Sequence, residues 1–272
     1  MNQSNALQQV VSEHFSRAAA QYDTAAQLQL KVIKKLANQL LPEFKMMQAN
    51  KNLHILDVGC GTANLLQFLP SPFAYTGVDI AEGMLAFSAE KFSYLAADNQ
   101  LAWQLADAQN LPFEENQFDF VFSSLAWQWC DLEQVLAQSY RVLKPGGTLI
   151  FSTLLDGTLC ELNQAFKQLD NQIHINQFID SQALEQAINS QDWHQVNAQV
   201  LTEKTHYDSV YQLLKELKSI GANTVSKNNQ LYKRQPLTKN RLARLELAYP
   251  RQSNPVQTIA SWQVAYCQLR KS

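Results

Sequence analysis

The feature of this sequence that most limits its possible folds is an apolar stretch that ends in a glycine-rich turn. Residues 53–58 are mainly apolar and predict a buried strand, and Gly59 and Gly61 follow directly. Glycines allow a sharp turn and let the backbone approach a ligand closely, because they carry no Cβ. A second apolar run, Ala74–Val78, ends at Asp79, twenty residues after Gly59. Since an acidic side chain there can accept hydrogen bonds from ribose hydroxyls, the pattern predicts an adenosine-type ligand across two parallel strands.

The acidic residue in front of the glycines distinguishes between adenosine ligands. A dinucleotide fingerprint requires a third glycine where this chain has Asn64, and the motif here opens instead with Asp57. A carboxylate suits a cationic ligand better than a pyrophosphate, and S-adenosylmethionine carries an ammonium and a sulfonium group. The pattern Asp57-x-Gly59-x-Gly61 resembles the first motif of class I methyltransferases, in which the carboxylate helps to organise the methionine end of the cofactor. A glycine-rich turn without a ligand is the alternative.

Three further segments match later motifs of that superfamily, in the expected order along the chain. Asp107-Ala108 follows a predicted third strand, Leu101–Ala106, although Asp107 alone would also suit a helix cap. The apolar run Phe118–Ser124 resembles the fourth strand of the superfamily, which ends beside the methyl donor. Residues 143–151 begin with Leu-Lys-Pro-Gly-Gly, a marker of class I methyltransferases, and predict the end of a helix and the next strand.

The resemblance implies a fold, a cofactor and a set of cofactor-binding residues. The fold is α/β and Rossmann-like, with a mostly parallel seven-stranded sheet, helices on both faces, an N-terminal helical lid and a helical insertion before the last strand. The cofactor is S-adenosylmethionine, with S-adenosylhomocysteine as product and no metal. Met84 would pack near the adenine, but it could equally fill the core. The predicted cofactor-binding residues are Asp57, Gly59, Cys60, Gly61, Asp79, Ile80, Met84, Asp107, Ala108 and Ser123.

Length and hydrophobic spacing predict one domain with three parts. The chain has 272 residues, enough for a single large domain with an inserted lobe. Residues 1–41 form the predicted helical lid, and residues 53–170 form the cofactor-binding core. Alternating apolar residues predict later strands over Gln195–Thr205 and Ser261–Leu269. Residues 206–251 lie between these two strands, have apolar residues at helical spacing, and are predicted to form the inserted lobe.

Charge is distributed unevenly along the chain. Lys204–Arg251 contains ten basic and three acidic residues, a net charge of +7, whereas the remaining residues carry −9. Such asymmetry favours an acidic partner for this basic segment, although a well-solvated helical surface is the alternative. The cysteines and histidines have no metal or redox spacing, no apolar run reaches about 18 residues, and the N-terminus lacks the core of a signal peptide. These features favour a cytoplasmic protein that does not bind membranes.

Segments spread over nearly the whole chain narrow the resemblance. The similar segments are Phe-Ser-Arg-Ala-Ala-x-x-Tyr-Asp at residues 15–23, and residues 125–130, 153–162, 236–242 and 262–266. Residues 189–229 carry little of the same signature. Together these segments resemble the malonyl-[acyl-carrier-protein] O-methyltransferases, the family that starts pimelate assembly for biotin.

The resemblance implies methylation of the free carboxylate of a malonyl thioester. A carboxylate is ionised at neutral pH, so the reaction needs no general base, only alignment with the sulfonium methyl and exclusion of water. An arginine can hold the acceptor carboxylate through its bidentate fork. The cations that the sequence leaves open for this role are Arg17, Arg241, Arg244 and Lys239. Trp127 and Trp129 are candidates to form the cavity wall. The predicted catalytic residues are Tyr22, Trp127, Arg17 and Arg241.

The resemblance also gives the basic segment a partner. Acyl carrier proteins are acidic, so malonyl-acyl carrier protein is predicted to dock on Lys204–Arg251, where complementary charge speeds encounter. The sequence does not distinguish an acyl carrier protein from coenzyme A as the carrier of the malonyl thioester. Two competing hypotheses are a class I methyltransferase for a small molecule, such as a quinone or a natural-product hydroxyl, and a cofactor-binding adaptor without turnover. Nucleic acid is disfavoured as a substrate, because no Asn/Asp-Pro-Pro-aromatic motif follows the predicted fourth strand.

Overall fold

The chain alternates strands and helices around one large sheet. A computed structural model describes residues 12–17, 19, 22, 27–49, 52–170, 172–220, 226–227, 230–231, 237–253 and 256–272. The strands in these residues are β1 (His54–Val58), β2 (Ala74–Asp79), β3 (Gln100–Leu105), β4 (Phe118–Ser124), β5 (Leu143–Leu154), β6 (Trp193–Tyr207), β7 (Ser226–Lys227), β8 (Gln230–Leu231), β9 (Arg251–Ser253) and β10 (Val256–Lys271).

The topology of the sheet places a ligand site at the ends of its central strands. The strand order is β3-β2-β1-β4-β5-β10-β6, and β9 pairs with the start of β10. Strands β1 to β5 pair in parallel, whereas β10 is antiparallel to both β5 and β6. The order reverses between β1 and β4, and open sheets of this kind bind ligands at the carboxyl ends of the strands beside that point. The predicted mostly parallel α/β fold is confirmed, with β9 as a short additional strand.

Helices cover both faces of the sheet. They are α1 (Gln27–Gln48), α2 (Glu82–Lys91), α3 (Leu132–Val142), α4 (Cys160–Lys167), α5 (Ser181–Ile188), α6 (Val210–Ser219) and α7 (Lys239–Ala248). Side chains of β4 alternate between the faces. Phe120 and Phe122 are buried with residues of α1, α4 and α6, whereas Val121 is buried with residues of α3 and α5. A strand covered on both faces is apolar throughout, which explains the continuous apolar run in the sequence.

One face of the long helix α1 is buried in the core. Its buried apolar residues recur at helical spacing and are Leu28, Val32, Ile33, Leu36, Ala37, Leu40 and Phe44. Lys31 and Lys35 of the same helix form ion pairs with the buried Glu203 of β6. The helix continues through Pro42 to Gln48. The predicted lid boundary at residue 41 thus falls inside α1, and the division of the chain into a lid and a core stays a prediction.

The inserted lobe lies between β6 and β10, as predicted. Helix α6 packs on the core through Val210, Leu213 and Leu217, and α7 packs through Leu245. The hydroxyl of Thr238 caps α7 by accepting a hydrogen bond in its first turn. In the part of the chain that the structure describes, no helix is long and apolar enough to cross a membrane. The same residues contain no group of three or more His, Cys, Asp or Glu side chains that could hold a metal ion.

Candidate active site

The glycine turn after β1 is anchored to the neighbouring strand. The N–H groups of Gly59 and Cys60 both donate to the carbonyl oxygen of Val78 in β2, at 2.7 and 2.9 Å. Gly59 and Gly61 have φ angles of +73° and +52°, in the left-handed region that favours glycine. A Cβ on Gly59 would collide with Ala126, whereas a Cβ on Gly61 would have no protein atom within 4 Å. Gly61 therefore faces open space, as a residue beside a ligand must.

Asp79 holds this turn in place at the end of β2. Its Oδ2 accepts a hydrogen bond from the N–H of Gly61 at 2.9 Å, and its Oδ1 accepts one from the N–H of Ala81 at 2.9 Å. From α2, the Ser88 hydroxyl donates to the carbonyl oxygen of Gly61 at 2.8 Å. Burial raises the pKa of Asp79, and the backbone N–H groups oppose that rise. The side chain predicted to bind ribose hydroxyls thus also fixes the conformation of the glycine turn.

A cavity opens in front of the glycine turn, between the ends of β2, β3 and β4, and is called the glycine-turn cavity below. The predicted site residues that line it are Gly59, Gly61, Asp79, Ile80, Met84, Asp107, Ala108, Tyr22 and Trp127. The other lining residues are Phe15, Ala106, Ser124, Leu125, Ala126, Trp129 and Cys130. The Asp107 carboxylate also accepts a hydrogen bond from the N–H of Gln109 at 2.9 Å, so it caps a turn as well as facing the cavity.

Three side chains that the sequence assigns to the cofactor do not line this cavity. Asp57 is buried and accepts a hydrogen bond from the Tyr75 hydroxyl at 2.8 Å, and Cys60 is also buried. Ser123 donates to a backbone carbonyl of β1 at 2.7 Å, and its neighbour Ser124 lines the cavity instead. At the end of β4, side chains alternate between the faces, so Ser123 points into the sheet while Ser124 lines the cavity. Asp57 lies within β1, where its neighbours Leu56 and Val58 are buried as well.

The buried Asp57 gives the fold a pH dependence. Burial raises the pKa of Asp57 to about 7, the Tyr75 hydroxyl lowers it, and the charge of Asp79 raises it again. In the unfolded chain the same carboxyl ionises near 3.8, so the native state binds more protons between these two values. We therefore expect Asp57 to lower the free energy of unfolding by about 2 kcal/mol as pH rises from about 5.5 to about 7.5.

Urea unfolding of Asp57→Asn measures this contribution, because an amide does not titrate. The variant should lose about 2 kcal/mol of pH dependence over this range. The exposed Asp98, replaced in the same way, should leave the pH dependence as in the wild type. An unchanged slope in Asp57→Asn would show that Asp57 ionises as an ordinary carboxyl.

A short helical segment near the N-terminus, residues 12–17, covers the glycine-turn cavity. The Ser12 hydroxyl donates to the carbonyl oxygen of Ile80, after β2, at 2.7 Å. The Phe15 ring lies edge-on to the ring of Trp129, after β4, with 6.3 Å between centroids. The segment therefore contacts loops on two sides of the cavity.

A second cavity of about 320 Å³ lies between the core and the inserted lobe and is called the lobe cavity below. Its lining is mainly apolar and consists of Phe15, Tyr22, Leu28, Gln29, Leu125, Gln128, Trp129, Leu154, Leu159, Leu162, Phe166, His174, Ile175, Asn176, Phe178, Leu214, Leu217, Lys218, Ile220, Leu237, Arg241 and Trp262. Phe15, Tyr22, Leu125 and Trp129 also line the glycine-turn cavity. The two cavities thus share one wall, an arrangement that can bring two ligands into contact.

Two N-terminal residues predicted to be catalytic differ in position. Tyr22 lines both cavities, and its ring centroid lies 6.4 Å from that of Phe15. Asp23, which follows it in the family-like segment, lies outside the described residues. The Arg17 side chain is 74% exposed, forms an ion pair with Glu13 at 3.1 Å and lines neither cavity. An acidic residue four positions earlier on a helix makes Arg17 one half of a surface pair, and its catalytic role stays a prediction.

The lobe cavity has one charged corner. Arg241 of α7 forms an ion pair with Asp170, and its Nη2 lies 3.3 Å from Nε2 of His174. The His174 nitrogen is 2.8 Å from the other oxygen of Asp170, and its ring stacks on Phe166. Burial alone would raise the pKa of Asp170, but hydrogen bonds from His174 and from the N–H of Gln172, with the charge of Arg241, lower it. The corner therefore holds an ionised carboxylate against a fixed guanidinium.

The structure narrows the choice of a cation for an acceptor carboxylate. Of the four candidates that the sequence leaves open, Arg241 lines the lobe cavity, whereas Arg17, Arg244 and Lys239 do not. Lys218 of α6 also lines it. Lys218 was not among the predicted residues, because a lysine on an amphipathic helix within a basic segment carries no local signature of a site.

Several buried polar atoms in the walls of the two cavities have no hydrogen-bond partner among the described residues. They are the hydroxyl of Ser124, the indole N–H groups of Trp127 and Trp129, and the side-chain carbonyl oxygens of Gln29 and Gln128. Buried polar groups are normally paired. Such a set beside two cavities favours a site that polar ligands complete.

Comparisons with known sequences show the family of this chain. A family model for a methyltransferase domain matches residues 56–151, which include the glycine turn. The malonyl-[acyl-carrier protein] O-methyltransferases of Methylococcus capsulatus and Yersinia pestis are 33% and 35% identical, over 89% and 92% of this chain and 85% and 87% of theirs. The biotin biosynthesis bifunctional protein BioHC of Cellvibrio japonicus is 36% identical over 96% of this chain. The chain spans 50% of the length of that relative.

Comparisons with solved structures support the fold. The YcgJ protein of Bacillus subtilis has a TM-score of 0.58 at 14% identity, over 88% of this chain and 98% of its own. The [4+2]-cyclase SpnF has a TM-score of 0.50 at 15% identity, over 89% of this chain and 80% of its own. Because one fold serves different reactions, these likenesses bear on architecture and not on the substrate.

Proposed function

The chain belongs to the malonyl-[acyl-carrier protein] O-methyltransferase family, and we propose that it methylates the free carboxylate of a malonyl thioester carried by an acyl carrier protein. S-adenosylmethionine donates the methyl group, and S-adenosylhomocysteine and the methyl ester are the products. The observation that carries this proposal is the wall shared by the two cavities, formed by Phe15, Tyr22, Leu125 and Trp129. The reaction would start pimeloyl synthesis for biotin, since the ester hides the charge that otherwise bars a malonyl group from chain extension.

The glycine-turn cavity suits S-adenosylmethionine. Gly61 leaves room beside the backbone, and Asp79 lies at the end of β2, where its carboxylate would accept hydrogen bonds from the ribose hydroxyls. Asp107 and Met84 line the part of the cavity assigned to the adenine, the first as a hydrogen-bond acceptor and the second as an apolar contact. When bound, the cofactor supplies an electrophilic methyl group on a sulfonium ion.

The carboxylate acceptor needs little activation. It is ionised at neutral pH, so no residue has to remove a proton. One oxygen–carbon bond forms while one sulfur–carbon bond breaks, and the charges of the carboxylate and the sulfonium cancel. The chain aligns the two groups at the shared wall and excludes water, with residues 12–17 as the cover on the donor side. Because this wall is largely aromatic and aliphatic, the carboxylate is poorly solvated there and stays nucleophilic.

Arg241 gives the lobe cavity its preference for an anionic acceptor. It lines the lobe cavity but not the glycine-turn cavity, so we assign it to attraction of the malonyl carboxylate and not to the transfer itself. Asp170 holds the guanidinium and offsets part of its charge. A carboxylate held in a tight bidentate pair with an arginine would be a weaker nucleophile. Because Asp170 partly neutralises Arg241, the acceptor carboxylate is attracted less strongly and keeps more of its nucleophilicity.

Replacing Arg241 with glutamine should raise KM for malonyl-acyl carrier protein about fivefold and leave kcat nearly unchanged, because an attraction moderated by Asp170 is worth about 1 kcal/mol. Steady-state kinetics measure both constants. Arg17→Gln is the matched control, since this arginine is exposed and paired with Glu13. Equal KM values for the two variants would remove Arg241 from the acceptor site.

Mass spectrometry of malonyl-acyl carrier protein after incubation with S-adenosylmethionine tests the proposed function. A gain of one methyl group that an esterase removes supports it. Methylation of a quinone or a hydroxylated natural product in the absence of a carrier would indicate a small-molecule methyltransferase instead. Cofactor binding in calorimetry, with no transfer to any of these acceptors, would indicate an adaptor.

The basic segment Lys204–Arg251 is proposed to dock the acidic carrier. Its net charge of +7 contrasts with −9 in the rest of the chain, so its attraction for an acidic protein should weaken as ionic strength rises. Lys233 and Arg234, adjacent cations suited to charge reversal, lie outside the described residues. Cations on α6 and α7 allow the docking surface to be placed more closely.

A further inference from the structure

We propose that the acyl carrier protein docks on the outward face of α7, beside a groove that meets the lobe cavity at the ion pair between Arg241 and Asp170. The inference rests on the proposed function, because it takes the acceptor to arrive on a carrier. In this proposal the carrier is held by contacts with a few residues, chiefly Arg244 and Leu247, and not only by the net charge of the whole segment Lys204–Arg251.

The groove lies next to the acceptor side of the site, because it shares Arg241 with the lobe cavity. It measures about 570 Å³ and lies between α7 and the end of α4. Its walls include Leu169, Asp170, Arg241, Arg244 and Leu247. Arg241 also lines the lobe cavity, so both spaces adjoin one member of the Arg241–Asp170 ion pair. A flexible prosthetic arm from a carrier seated on the groove would reach the lobe cavity by passing this pair.

The outward face of α7 combines positive charge with an exposed apolar anchor. Leu247 is 88% exposed, and Arg244, three residues earlier, is exposed on the same helix face. Asn240 and Ala243 extend this face. Opposite charge steers an acidic protein toward such a surface, and an exposed leucine provides a contact that excludes water once the partner is seated.

A carrier suits this face better than a second copy of the chain. The acidic remainder of another copy would also be attracted to α7, because its net charge is −9. Binding of a second copy, however, would not require a groove beside the acceptor side of the site. A carrier does require one, because its prosthetic arm must reach the lobe cavity. The position of the groove therefore favours the carrier.

Two charge reversals in the same lobe separate a local dock from general attraction. Arg244→Glu reverses the charge of a groove residue. Lys215→Glu reverses an exposed cation of α6 that lines neither of the two cavities nor the groove. We expect Arg244→Glu to raise KM for malonyl-acyl carrier protein at least about tenfold and Lys215→Glu less than about twofold. Both variants should keep the wild-type KM for malonyl-pantetheine, which has the arm without the protein. Equal effects of the two reversals would overturn the local dock.

A leucine pair tests the apolar contact. Leu247→Ser should raise the same KM about fivefold, whereas Leu105→Ser, on the edge strand β3, should not, although Leu105 is also exposed. If light scattering shows that Leu247→Ser changes the oligomeric state while KM is unchanged, the face binds a second copy and the proposal fails. It also fails if the wild type methylates malonyl-pantetheine as well as it methylates the carrier-bound substrate. Methylation of neither by the wild type would instead overturn the proposed function.

Discussion

Replacing Gly61 with valine is expected to abolish S-adenosylmethionine binding while leaving most of the protein folded. A Cβ at this position would have no protein atom within 4 Å, so a branched side chain would occupy the space that the cofactor needs. The φ of +52° also makes any β-branched residue unfavourable, at a cost of about 1 to 3 kcal/mol. Titration calorimetry should therefore show no binding, and thermal denaturation should show a lower melting temperature.

Gly146 provides the matched control for strain. It has a φ of +71°, and a Cβ there would also have no atom within 4 Å, but it lies near the beginning of β5, away from the carboxyl ends of the strands. Gly146→Val should thus lose similar stability and keep normal cofactor affinity. If Gly61→Val binds the cofactor as well as Gly146→Val does, the donor site lies elsewhere.

Asp79→Ala should weaken S-adenosylmethionine binding by about ten- to a hundredfold, the effect of losing about 1.5 to 3 kcal/mol of charge-assisted hydrogen bonds. Two sets of hydrogen bonds would be lost. Asp79 would bind the ribose hydroxyls, and it also accepts hydrogen bonds from the N–H groups of Gly61 and Ala81. Calorimetry measures the affinity. The exposed Asp98, replaced by alanine, should leave it unchanged.

An analogue of S-adenosylhomocysteine without the ribose 2′-hydroxyl separates the two roles of Asp79. The wild type should bind this analogue more weakly than the parent compound, and Asp79→Ala should bind both equally. A wild type that does not discriminate would mean that the carboxylate acts through the glycine turn alone.

The parts of the fold that the sequence predicts correctly have local signals. A buried strand, two glycines and Asp79 at the next strand end place the glycine turn, and apolar alternation places β6 and β10. The spacing of Val210, Leu213 and Leu217 places a helix of the lobe in the same way. Each of these signals arises within about 20 residues, so no long-range contact has to be known.

The parts that the sequence does not predict depend on contacts between distant segments. The charged corner forms because α7 packs against the end of α4, which brings Arg241 to Asp170 and His174. No pattern in the sequence predicts this contact. Ser124 lines the glycine-turn cavity and the predicted Ser123 does not, because the face that a side chain occupies at a strand end depends on the local geometry. The surface position of Arg17 has a local signal, since Glu13 four residues earlier on the helix pairs with it.

We expect the wall between the two cavities to make the binding of the proposed donor and acceptor interdependent. Phe15, Tyr22, Leu125 and Trp129 face both cavities, so whichever ligand binds first fixes side chains that the second must contact. Linkage requires the resulting change in affinity to be the same factor in both directions, whichever ligand is added first. On this proposal, a dissociation constant measured for one ligand alone describes a half-assembled site, and we expect the cooperativity between donor and acceptor to set how tightly the reacting pair is held.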